Sequence, residues 1–136
     1  MKASVDDKYK GFTSLEQSKQ LMKLGIGIIR KADMHYWETT DGKTIGKLSY
    51  TPNIEFDSNF YYGTDNGKTY HYIPCWSLSS LLDVLKDKIT FGGNSPEGWF
   101  CCYTIKNPTK LVTIYGDSLV DACYKTILNL HELKML

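Results

Sequence analysis

Arginine is almost missing from this chain: Arg30 stands alone beside fifteen lysines. The planar guanidinium fork is the group that reads guanine edges and grips phosphates bidentately, so sequence-specific DNA recognition is not expected. The formal charge of +1 is spread as about +3 over residues 1–50, −3 over 51–100 and +1 over 101–136, a mild dipole and no basic patch. No apolar run approaches the roughly 18 to 20 residues of a membrane span, so no membrane partner is expected. The opening MKASVDDKYKGFTS has no apolar core segment and carries Asp6 and Asp7, unlike a secretory or transit signal. A cytoplasmic location is the resulting expectation. Cys75, Cys101, Cys102 and Cys123 then read as reduced, mostly buried thiols rather than two disulfides.

Catalytic patterns are also lacking. There is no GxxxxGK[ST] and no GxGxxG between a strand and a helix, so Gly92, Gly93 and Asn94 read as a turn and not as a phosphate cradle. No C-x2–4-C or H-x3–5-H pair occurs, and the neighbours Cys101 and Cys102 point to opposite faces of a strand. A site assembled from Cys75, Cys123 and a histidine is the remaining metal arrangement, so neither a metal nor a cofactor is expected. Cys75 precedes a helix start, where a thiol can become nucleophilic. An oriented base is also needed, and His35, His71 and His131 sit in no recognisable signature, so Cys75 reads as a small buried hydrophobe. Glu55 and Asp57 read as solvated strand charges. No catalytic residue is assigned.

What is present is a foldable domain. With 42% hydrophobic and 23% charged residues, 136 residues suffice for a core. Residues 1–11 are a polar lead-in and 12–136 a single domain. Thr13 with Glu16 makes a capping box for a first helix through Leu24, Ser14 with Gln17 offers the same box one residue later, and Gly25 follows as the stop. Asp41-Gly42 and Asn66-Gly67 are turn dipeptides, and they imply two hairpins, four strands between Met34 and Ile73, separated at Thr51-Pro52-Asn53. Ser77 then caps a helix with Leu78, Leu81, Leu82 and Leu85 as its apolar stripe. Trp76 and Leu81 occupy the two staple positions, and Pro74 keeps the approach extended. FGGNSPEG reads as a Gly- and Pro-rich loop, followed by two strands joined at residues 106–109. Asp117 or Ser118 caps a last helix with Val120, Cys123, Ile127 and Leu130 inward and Asp121 paired with Lys125. The fold expected is α+β: an antiparallel sheet of about six strands with three helices, in the order α-β-β-β-β-α-β-β-α.

The surplus is aromatic, at 13% with ten Tyr and three Trp. His35, Tyr36 and Trp37 lie on one hairpin and Tyr61, Tyr62, Tyr70 and Tyr72 on the other. Cross-strand packing uses some of them, and alternation must turn others outward. Outward Tyr and Trp make a binding face, because they offer large contact area at low entropic cost. These seven residues are the candidate binding face, and a protein partner is expected before single-stranded nucleic acid, which demands more positive charge.

TSLEQSKQLMKLG, then Ala32-Asp33-Met34, then PCWSLSSLL, and a terminal helix containing Asp121-Ala122, together resemble a group of small uncharacterised proteins of gut Bacteroides-type bacteria and their phages and mobile elements. The likeness spans residues 12–34, 74–82 and the region of Asp121. It departs after the first helix, where Gly25 to Lys31 replaces an acidic or proline-bearing turn. The resemblance implies a cytoplasmic accessory protein and no activity, cofactor or catalytic residue. The function expected is therefore a non-enzymatic interaction module that binds a host or phage protein, with homodimerisation open. The alternative is a small-molecule-binding protein or weak enzyme with a pocket between the sheet and the Ser77 helix.

Overall fold

Ser14, not Thr13, opens the first helix. A computed structural model of the chain describes residues 11–39, 49–50, 62–65, 68–106 and 108–136. In it α1 (Leu15–Met22) carries the second of the two possible capping boxes. Gln17 N donates to Ser14 Oγ at 3.1 Å and Ser14 N to Gln17 Oε1 at 3.0 Å. Thr13 is free for another use because a box one residue earlier would have drawn its hydroxyl onto the helix end.

Gly25, at φ +123°, then turns the chain into a short second helix, α2 (Ile26–Ile29), and its carbonyl accepts from Ile28 N and Ile29 N. This helix was not expected: one turn holding Gly27 has little propensity of its own. It forms because Ile28, Ile29 and Ala32 are buried in the core.

Four strands follow, β1 (Met34–Thr39), β2 (Ser49–Tyr50), β3 (Tyr62–Asp65) and β4 (Lys68–Cys75), as the turn dipeptides imply. They form one antiparallel sheet in the order β2-β1-β4-β3. Asp65 pairs with Lys68, leaving a two-residue connection. Asp41-Gly42, Asn66-Gly67, Thr51-Pro52-Asn53, Glu55 and Asp57 lie outside the described residues.

Helix α3 (Leu78–Leu85) starts as its cap requires, with Ser80 N donating to Ser77 Oγ at 3.2 Å. Trp76, Leu81 and Leu85 are fully buried, but Leu82 is 37% exposed, so the apolar stripe is narrower than its leucines suggest.

The larger correction concerns FGGNSPEG. Its first half is a strand, β5 (Ile89–Ser95), forming a hairpin with β6 (Gly98–Ile105) through Pro96-Glu97. Proline at the second and glycine at the fourth position of Ser-Pro-Glu-Gly suit a tight turn, and Gly98 has φ +129°. Strand β7 (Lys110–Gly116) joins β6 on its other side, making a separate sheet in the order β5-β6-β7. The described chain therefore holds two antiparallel sheets rather than one, seven strand segments rather than six, and four helices rather than three. The α+β class stands.

The last helix, α4 (Leu119–Glu132), is capped by Ser118 and lies across β6, with Cys101 touching Cys123 and the Tyr103 hydroxyl donating to Asn129. Val120, Cys123, Ile127 and Leu130 are all buried, and Asp121 pairs with Lys125 at 3.2 Å. Helix α3 packs against α4, and α1 against β4. Gly116 lets the second sheet approach α4 closely: a Cβ there would lie 2.5 Å from Ala122 N.

Candidate functional site

The residues expected to form a binding face divide between the two faces of the first sheet. Strand register sets Trp37 opposite Tyr72, Thr39 opposite Tyr70, and His35 opposite Pro74, which are positions of one parity. Tyr36 opposite Ile73 belongs to the other parity, as does Tyr62 opposite His71. Of His35, Tyr36, Trp37, Tyr61, Tyr62, Tyr70 and Tyr72, the first two have described side chains, Tyr61 lies outside the described residues, and the other four are described in their backbones. His35 is 5% exposed, and burial lowers its pKa from 6.5. Tyr36 is half-buried and donates its hydroxyl to the Thr13 carbonyl at 2.8 Å, while burial first, and then the neighbouring Cys75, push its phenol well above the ordinary range. His35 is thus closed to a partner, and the Tyr36 hydroxyl is engaged within the chain.

Thr13 is the centre of this buried junction. Its N–H donates to the Trp76 carbonyl at 2.9 Å, its hydroxyl oxygen accepts from Trp76 N at 3.1 Å, and it lies 2.7 Å from the Ser18 hydroxyl. The Cys75 thiol donates to the Thr13 carbonyl at 3.4 Å. Phe12 bridges to Ser77, and Leu78 N donates to the Gly11 carbonyl, so residues 11–13 run antiparallel beside 76–78. Trp76 Nε1 donates to the Ile28 carbonyl at 2.9 Å. The Pro-Cys-Trp cluster is thus a clasp between the entry to α1, the end of β4 and α2.

Within this clasp the Cys75 thiol is fully buried. Burial raises the Cys75 pKa, against weaker lowering by hydrogen bonds from Thr13, Ser18 and Tyr36, so the thiol stays protonated near neutrality. The second thiol pair, Cys101 and Cys123, is fully buried with its sulfurs 3.6 Å apart. The hydrogen bond to Cys101, and then burial, hold Cys123 far above the usual thiol range. Among the described residues no cluster of three or more His, Cys, Asp or Glu can hold a metal ion. Nor is any described helix long and apolar enough to cross a membrane.

Among the described side chains, exposed aromatic surface lies on the face of the second sheet turned away from α4. Phe91 is 49% exposed, Tyr115 47% and Leu111 51%. Phe91 meets Phe100 edge-on with ring centroids 5.8 Å apart, and Phe100 lies 6.4 Å from Tyr115. The row crosses all three strands, since Phe100 pairs with both Gly93 and Tyr115. Gly93 leaves the space that the Phe100 ring occupies, 3.9 Å from where a Cβ would stand. Sequence reasoning missed this row by assigning Phe91 to a loop. The Ser-Pro-Glu-Gly turn was the signal that a hairpin surrounds it.

Comparison with protein-family models, with curated proteins and with solved structures finds no match to this chain.

Proposed function

We propose that this protein is a non-enzymatic interaction module, a cytoplasmic accessory protein of a bacterial, phage or mobile-element system that binds another protein. The observation carrying the reading is a contrast: the thiols of Cys75, Cys101 and Cys123 and the imidazole of His35 are sealed inside, while an aromatic row, Phe91–Phe100–Tyr115, with Leu111 beside it, faces solvent. Groups that do chemistry need access to substrate, whereas stacked exposed rings supply desolvation area to a docking partner. Trp37, Tyr70 and Tyr72, on one register face of the first sheet, are the second contact region.

A small-molecule pocket beneath the Ser77 helix is less favoured. That helix lies against α4 with Leu81 and Leu85 fully buried, and the Cys75 thiol beside it is pushed away from reactivity. Nucleic acid is less favoured still, given one arginine and a net charge of +1.

The test is capture of partners from a lysate of the host on immobilised protein, with wild type beside Phe91→Ala/Tyr115→Ala and Trp37→Ala/Tyr72→Ala. A partner retained by wild type and lost by either variant, with the variant's circular dichroism unchanged, is the expected result. Capture that is identical in all three removes both faces from consideration.

A further inference from the structure

The two edges of the second sheet differ. Among the described residues neither β5 nor β7 has a strand on its outer side. On β5 the edge is spoiled: its register shifts between Ile89 and Phe91, and Gly92 and Gly93 occupy its middle. Bulges and weak strand formers are how proteins keep an edge from pairing. Strand β7 has no such protection. Its pairing with β6 is unbroken from Trp99 opposite Gly116 to Ile105 opposite Lys110, and Leu111 to Tyr115 contains no charge, proline or glycine.

We propose that the open edge of β7 pairs with β7 of a second copy of this chain, antiparallel and centred on Thr113, joining two three-stranded sheets into one of six. The strand KLVTIYG is complementary to itself about that point. Leu111 comes opposite Tyr115 of the other copy, Val112 opposite Ile114, and Thr113 opposite Thr113; all are favourable cross-strand combinations. Leu111 and Tyr115 are each about half exposed on the outer face, while Val112 and Ile114 are partly buried on the face toward α4. Charge agrees with the same register. Lys110 at one end of the strand meets Gly116 and Asp117 at the other end of its partner, and Lys110 and Asp117 are both exposed. This complementarity between opposite ends favours a second copy over an unrelated strand.

The helices permit it. Helix α4 packs against β6 and β7 together, through Cys101–Cys123 and Tyr103–Asn129 on β6 and through Gly116 on β7. Two such helices in the joined sheet stand two to three strand spacings apart, roughly 10 to 14 Å, no closer than the ~8 to 10 Å at which helices pack side by side. The joined sheet also extends the exposed row, bringing Tyr115 of each copy beside Leu111 of the other. The inference goes beyond the interaction-module reading and stands whether or not a different protein binds.

Light scattering on the eluting full-length protein, over a range of concentrations, tests it. Wild type is expected to move toward twice the 15.5 kDa chain mass as concentration rises. Thr113 is exposed, so Thr113→Lys and Thr113→Glu leave the chain folded by circular dichroism, while setting like charges face to face. Each alone is expected to weaken self-association roughly five- to tenfold, and an equimolar mixture of the two to restore it. Asn94→Lys on the β5 edge is expected to change nothing. A wild type that stays at the single-chain mass throughout overturns the proposal. So does a dimer that Thr113→Lys leaves intact, or one that only Asn94→Lys divides.

Discussion

The carboxylate of Asp33 accepts from both polar groups of Ser77, the backbone N–H at 3.0 Å and the hydroxyl at 2.5 Å. The same hydroxyl oxygen accepts from Ser80 N and so caps α3. Asp33 therefore ties the segment after α2 to the start of a helix 44 residues later. Hydrogen bonds to a charged acceptor are each worth more than neutral ones. Asp33→Ala is expected to cost about 2 kcal/mol and Ser77→Ala about 1 to 2 kcal/mol in urea unfolding. The double variant should lose less than the sum, because both substitutions remove the same contact. Strict additivity would mean that the two groups act independently.

Two glycines should respond in opposite senses to alanine. At Gly116 a Cβ would press into Ala122 N at 2.5 Å and Asp121 Oδ2 at 2.8 Å, so Gly116→Ala should destabilise by about 1 to 3 kcal/mol. At Gly27, inside α2, a Cβ meets nothing within 4 Å. Gly27→Ala should therefore stabilise by about 0.4 to 1 kcal/mol. Thermal unfolding of the pair checks both signs.

His35 makes stability depend on pH. Its folded pKa is lowered by burial below 6.5, so the folded protein binds fewer protons than the unfolded chain once pH falls beneath that value. Stability is then complete above about pH 6.5 and declines as pH falls below it, toward the depressed folded pKa. Unfolding free energies at about pH 7.5, 6 and 5 should fall in that order. His35→Gln should flatten the decline, and an equal slope in that variant would place the titration on another group.

All four thiols should be silent toward a water-soluble disulfide reagent while the protein is folded. Cys75, Cys101, Cys102 and Cys123 are buried, and both Cys75 and Cys123 have raised pKa values. Reaction should appear in step with global unfolding in denaturant. Fast labelling of any one of them in buffer would show that its part of the core opens by itself.

Where a signal acts over a few residues, the sequence by itself determined the outcome. The cap at Ser77 follows from the sequence, because a hydroxyl and an N–H three residues apart suffice for it, and at the last helix the structure takes Ser118 of the two candidates Asp117 and Ser118. The inward face of α4 follows from its 3.6-residue period. Only the tertiary structure decided between the boxes at Thr13 and Ser14, since the buried contacts of Thr13 with Trp76 and Ser18 compete for its hydroxyl. It also made a helix of Ile26–Ile29 through burial, against weak propensity, and a strand of Ile89–Ser95 through pairing with β6. Which aromatic residues face solvent was decided there too. Alternation sorts residues into two sets, but which set is covered depends on where α1 and α4 lie, and that is settled by contacts between segments far apart in the chain.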